Sequence, residues 1–136
     1  PSKVIVIKFT YHIIGLLDSF KPKGYKVFDY EVLGTEALIP ELIKNNEIQA
    51  GIIAIGDNGS RKQMFDIITS ICPKFQYATA IHPQAIIGKD VFIGQGTVIV
   101  ASAVINASTT IKTHCIINTN ASIGHDCLLS DFIRVI

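Results

Sequence analysis

From residue 81 onward an aliphatic side chain recurs at every sixth position: Ile81, Ile87, Ile93, Ile99, Ile105, Ile111, Ile117, Ile123, Leu129 and Val135. Neither an α-helix, with its period of 3.6, nor a simple strand, with its period of two, requires a period of six. In a chain that is 49% hydrophobic, an unbroken register of this length arises by chance roughly once in a thousand. A second periodicity runs beside it. Four residues after each aliphatic comes a small or modest side chain: Ala85, Val91, Thr97, Ala103, Thr109, Cys115, Ala121 and Cys127, before Ile133 departs from the pattern. The pairing predicts a parallel β-helix, in which each hexad forms one short strand and one corner, and stacked hexads bury a shared apolar column. Each buried isoleucine contributes about 1.5–3 kcal/mol. If three hexads close one triangular coil, the stacking columns are Ile87, Ile105, Ile123; Ile93, Ile111, Leu129; and Ile99, Ile117, Val135.

Residues 1–80 follow a different grammar. The apolar run at 4–7 reads as a buried parallel strand, and 12–17 as a second strand ending at Asp18. Lys21-Pro22-Lys23-Gly24 is turn chemistry. Thr35 is an N-cap for a helix over 36–44, with Pro40 moving its start to about Ile39 or breaking it there. Residues 51–55 form the clearest strand. It runs into Gly56-Asp57-Asn58-Gly59, and a helix follows over about 60–70 until Pro73 stops it. Residues 75–77 form a last short strand. The alternation predicts a small parallel sheet with covering helices. Only four residues separate the first two strands, whereas a parallel crossover needs a dozen or more. Either those strands form an antiparallel hairpin, or a crossover is missing.

Composition narrows the function classes. A net charge of +1 with 17% charged residues leaves no footprint for nucleic acid or an anionic membrane. No apolar run approaches the length of a membrane span, and no signal peptide is visible. Cys72, Cys115 and Cys127 are odd in number and lack metal-ligand spacing, so a reducing, cytoplasmic setting is expected. Cys115 and Cys127 fall at the small inward position on different faces, so no disulfide is implied.

The hexads Ile87-Gly88-Lys89-Asp90-Val91 and Ile93-Gly94-Gln95-Gly96-Thr97 resemble those of the hexapeptide-repeat acyltransferases. Gly15-Leu16-Leu17-Asp18, Tyr30-Glu31-Val32-Leu33-Gly34, Ala54-Ile55-Gly56-Asp57-Asn58 and Ile81-His82-Pro83 resemble, in that order, the sialic-acid O-acetyltransferase and UDP-4-amino-sugar N-acetyltransferase family. The fold implied is an α/β amino-terminal Rossmann-like domain over 1–80, followed by a left-handed parallel β-helix over 81–136. Two departures from the family pattern accompany the resemblance. The glycine-rich turn and helix that follow the first strand in the family are missing after residue 7, and the repeat stops in phase at Ile136, where the family continues for several coils. The resemblance implies acetyl-CoA as co-substrate, a nucleotide-linked amino sugar or sialic acid as acceptor, and a homotrimer holding acetyl-CoA between subunits.

The resemblance also places the chemistry. Acetyl transfer to an amine or hydroxyl needs a base for the nucleophile's proton, and a neutral imidazole suits that role near pH 7. The stretch 118–127 resembles the family's catalytic hexads, which puts the general base at His125, an orienting acid at Asp126 and a polar active-site position at Asn118. The loop Gly56-Asp57-Asn58-Gly59, between a strand and a helix, lies where open α/β sheets bind ligands. Backbone N–H groups there can meet phosphate, and Arg61 adds a charge-assisted contact. The resemblance implies nucleotide-sugar binding by Asp57 and Asn58, with Asp18 near the base or ribose. His82 reads as a junction residue, and His12 and His114 as structural or surface positions. The spacing of His82, His114 and His125 does not fit the zinc site of the related γ-type carbonic anhydrases, so no metal is expected. Two other readings stay open: a truncated or degenerate relative that assembles without turnover, and a generic nucleotide-binding module, which leaves the repeat unexplained.

Overall fold

A computed structural model describes residues 11–136. The expected strand at 4–7, and with it the choice between hairpin and missing crossover, lies outside the described residues. The amino-terminal part builds a three-stranded sheet from β1 (Leu16–Leu17), β2 (Lys26–Val27) and β3 (Tyr30–Gly34), in the order β1-β3-β2. β1 runs parallel to β3, whereas β2 pairs antiparallel with β3, Lys26 opposite Glu31 and Val27 opposite Tyr30. This hairpin departs from the expected all-parallel sheet. Its turn is Phe28-Asp29, with Phe28 at a φ of 54°, in place of the Asn-Gly type that announces a two-residue hairpin in sequence.

Thr35 does cap a helical segment, its Oγ1 accepting from Ala37 N at 3.3 Å. That segment is a single 3-10 turn, Glu36–Leu38, followed by α1 (Ile39–Lys44) with Pro40 in its first turn. A proline there removes a donor that has no helical partner anyway. α2 (Asn58–Ile71) begins two residues earlier than expected because Asp57 is its N-cap, accepting from Ser60 N at 2.7 Å. Residues 51–55 are less regular than their apolar run suggests. Among the described residues their ladder reduces to one parallel bridge, Gly51 to Tyr77, and the same bridge is all that forms of the strand expected at 75–77. Ile53 is nonetheless buried, packing with Ile39, Ile68 and Phe75 into the core of this part.

The repeat folds as its period predicts. Ten two-residue strands follow one another: β4 (Ala80–Ile81), β5 (Ile86–Ile87), β6 (Phe92–Ile93), β7 (Val98–Ile99), β8 (Val104–Ile105), β9 (Thr110–Ile111), β10 (Ile116–Ile117), β11 (Ser122–Ile123), β12 (Leu128–Leu129) and β13 (Arg134–Val135). The sixth-position aliphatic is always the second residue of its strand. All pairings are parallel and join every third strand, giving the faces β4-β7-β10-β13, β5-β8-β11 and β6-β9-β12. Ile99 pairs with Ile117, Ile105 with Ile123, and Ile111 with Leu129, so the three expected columns form, and Ile81 extends the third. The core is Ile99, Ile105, Ile111, Ile117 and Ile123 with Ala103, Cys115 and Ala121 beside them.

The corners follow their own period of six. Asp90, Gly96, Ser102, Ser108, His114, Asn120, Asp126 and Phe132 all have positive φ, from 55° to 74°. Most are turn formers that tolerate this left-handed region; Phe132 is the exception.

Candidate functional site

His125 and Asp126 occupy the corner between β11 and β12. Asp126 N donates to Ala107 O in the coil below, at 3.0 Å, which anchors the corner to the stack. The left-handed φ of Asp126, 55°, turns its side chain back beside its predecessor, and Asp126 Oδ2 lies 2.5 Å from His125 Nδ1. A carboxylate on Nδ1 favours the tautomer with its proton there, leaving the Nε2 lone pair free. Both side chains are exposed, 80% and 70%. The corner thus presents an accessible imidazole whose Nδ1 side is held by a carboxylate.

Asn118 does not meet this pair. It follows β10 and stands at the preceding corner, separated from His125 by the face of β11. Its backbone carbonyl accepts from Ala121 N at 3.1 Å, closing that corner's turn. Asp18 ends β1, where its Oδ1 accepts from Phe20 N at 2.7 Å and Lys21 N at 3.0 Å, so the carboxylate shapes the loop it begins.

Gly56, Asp57 and Asn58 do come together, at the amino end of α2. With Arg134 and Ile136 of the last coil they line an open cleft of about 230 Å³. The hydrogen bond from Ser60 holds the Asp57 carboxyl below the usual carboxylate range. Arg134 was not among the expected site residues. Its signal was its place on the outward side of the last strand, but only the fold brings that strand beside the loop.

Arg61 requires a correction. It is 1% exposed, and every guanidinium N–H has a protein acceptor. Nε donates to His114 O at 2.8 Å, one terminal nitrogen to Ile55 O and Gly56 O at 3.0 and 3.1 Å, and the other to Asn58 Oδ1 and Phe132 O at 2.8 and 2.9 Å. No donor remains for a phosphate. Arg61 instead ties the 55–58 loop to two corners of the β-helix. The same seam buries His114, whose ring stacks on Phe132 at an interplanar angle of 6° and meets Phe65 and Tyr77. His114 is therefore structural, as one of its two expected placements had it, and not a surface residue. Burial pushes the Tyr77 hydroxyl up to about 12. Among the described residues no cluster of three His, Cys, Asp or Glu could hold a metal, and no helix is long and apolar enough to cross a membrane.

The geometry finds close parallels. Residues 3–68 match the family model of the PglD N-terminal domain. A 50-residue stretch, 37% of this chain and 22% of the relative, is 44% identical to UDP-N-acetylbacillosamine N-acetyltransferase of Bacillus subtilis (strain 168). The acetyltransferase domain of PglB from Neisseria gonorrhoeae FA1090, solved in complex with acetyl coenzyme A, is 34% identical with a TM-score of 0.79 over 92% of this chain and 58% of that one. The chain is thus similar to sugar N-acetyltransferases. Another similar solved protein is PerB from Caulobacter crescentus, in complex with CoA and GDP-perosamine: 31% identity and a TM-score of 0.70 over 79% of this chain and 51% of that one. The chain spans between half and three fifths of the length of these solved relatives.

Proposed function

We propose that the chain forms part of an enzyme that moves an acetyl group from acetyl-CoA to the amine of a nucleotide-linked sugar. The observation that carries this reading is the His125–Asp126 pair, with a free Nε2 on an exposed corner. In the reaction His125 Nε2 takes the proton of the acceptor amine as its nitrogen attacks the thioester carbonyl. The carbon–sulfur bond then breaks, CoA departs as thiolate, and the imidazolium returns the proton to the sulfur. Asp126 holds the imidazole and stabilises its charge while protonated. The acceptor's nucleotide sits at the cleft of Gly56, Asp57 and Asn58, near Asp18. The relatives solved with acetyl coenzyme A, and with CoA and GDP-perosamine, support both co-substrates.

A homotrimer with left-handed coils completes the reading. The outward strand positions carry Ile86, Phe92 and Leu128, each 62% to 66% exposed, which suits faces covered by other copies. Asn118 and His125 stand at successive corners, so a site using both is completed between subunits. The three free cysteines agree with a cytoplasmic setting.

The test follows thiol release from acetyl-CoA with a panel of UDP- and GDP-amino sugars. His125→Ala is expected to lower turnover by about 10²–10⁴-fold with unchanged thermal unfolding. Release unaffected by His125→Ala would remove His125 from the base role. No release with any acceptor, from folded protein, would favour the non-catalytic relative instead.

A further inference from the structure

Two kinds of closure among the corners of the β-helix differ by the residue one coil below. Above Ala85 and Ala103 the turn closes on itself: Ala103 N donates to Val100 O at 3.3 Å, and Ala121 N to Asn118 O at 3.1 Å. Above Thr97 and Thr109 a hydroxyl is inserted into the turn. Thr97 Oγ1 donates to Lys112 O at 2.9 Å and accepts from Cys115 N at 3.1 Å. Thr109 Oγ1 donates to Gly124 O at 2.8 Å and accepts from Cys127 N at 3.2 Å. Both threonines are fully buried, at 0% exposure. The hydroxyl holds the two ends of the turn from beneath and keeps it open.

The turn that Thr109 braces is the one from Gly124 to Cys127, which carries His125 and Asp126. Among the described residues the side chain that hydrogen-bonds the His125 ring is Asp126 alone. An exposed imidazole with one side-chain partner takes its direction from the backbone that bears it. We infer that Thr109 is a positioning residue for acetyl transfer: its hydroxyl, bonded at both ends of the 124–127 turn, sets the aim of His125 Nε2. This rests on the reading of His125 as the base. Valine has nearly the same shape but leaves Gly124 O and Cys127 N without their partner, so the turn must shift or close as the 118–121 turn does. A misplacement of about 1 Å in a catalytic group costs about a hundredfold in rate. Thr97 supplies the matched comparison, with the same bonds and burial beneath a corner that bears no base.

The experiment compares Thr109→Val, Thr109→Ser and Thr97→Val in the full-length protein. It reads kcat, the KM for acetyl-CoA and the NMR signals of the His125 ring. Thr109→Val is expected to lower kcat by about ten- to a hundredfold with little change in KM, and to move the His125 ring signals. Thr109→Ser restores both. Thr97→Val lowers thermal stability as Thr109→Val does, yet keeps kcat and the ring signals. The inference is overturned if Thr109→Val retains wild-type kcat and ring signals, or if Thr97→Val lowers kcat equally. Should Thr109→Val not fold, Thr109→Ala, which copies the Ala103 position, is judged by the same outcomes. A wild-type protein without acetyl transfer would reject the proposed activity, while the ring signals would still decide the role of Thr109.

Discussion

His114 shows how far a single residue's role depends on neighbours one coil away. Gly96, His114 and Phe132 stack at one corner, and a Cβ on Gly96 would overlap the His114 ring. Gly96 is therefore needed for space as well as for its φ of 74°. Both ring nitrogens of His114 are buried and have no hydrogen-bond partner among the described residues. Burial, and after it the charge of Arg61, pushes the imidazole down to about 4, against a partial opposing pull from Asp131. The folded state then holds His114 neutral where the unfolded chain, with an ordinary value of about 6.5, takes up a proton. This contribution to stability is complete above about pH 6.5 and is lost as pH falls toward 4. By pH 4.5 the loss reaches about 2–3 kcal/mol. Chemical denaturation at pH 7 and pH 4.5 should show the loss. His114→Phe should flatten it, since Phe132 already occupies the equivalent corner position with a φ of 61°. The sequence placed His114 at a corner and left open whether it was structural or exposed, because nothing in its own hexad says what packs over that corner.

At the scale of the element, the hexad's two strand positions are chemically alike but energetically opposite. Ile117 points inward and is 0% exposed, whereas Leu128 points outward and is 66% exposed. Ile117→Ala should cost about 2–5 kcal/mol through lost burial and a cavity that the coils above and below cannot fill. Leu128→Ala in the isolated chain should change stability by less than about 1 kcal/mol. Urea denaturation of the two variants measures the contrast. This element was legible because a period of six repeated over the whole region outweighs local noise. Residues 51–55 were not, because an apolar run records burial alone. It does not record whether a partner strand supplies the ladder. The hairpin of β2 and β3 went unread because Phe28-Asp29 carries none of the usual turn chemistry.

For the whole molecule, the seam between the amino-terminal part and the β-helix decides how the two candidate sites stand to each other. Arg61 crosses that seam, with acceptors in the 55–58 loop on one side and at His114 and Phe132 on the other. A lysine keeps the charge but offers donors from a single point, so it cannot satisfy acceptors spread around a planar fork. Arg61→Lys should therefore destabilise the protein by about 2–4 kcal/mol. Under the proposed function it should also raise the KM for the acceptor more than that for acetyl-CoA. Thermal unfolding and steady-state kinetics on the same preparation check both.

The β-helix, its three columns and the location of a histidine–acid pair at one corner were determined by the sequence alone, since each depends on spacing within or between hexads and stacking preserves spacing. The use of Arg61 for the seam instead of a ligand, the burial of His114, the nearness of Arg134 to the 56–58 loop and the brace under the His125 turn were decided by the tertiary structure. Each depends on which group reaches an acceptor first across a contact that joins distant segments. A guanidinium beside a phosphate-binding loop has the same sequence signature whether its donors face solvent or five protein oxygens, and only the fold distinguishes the two.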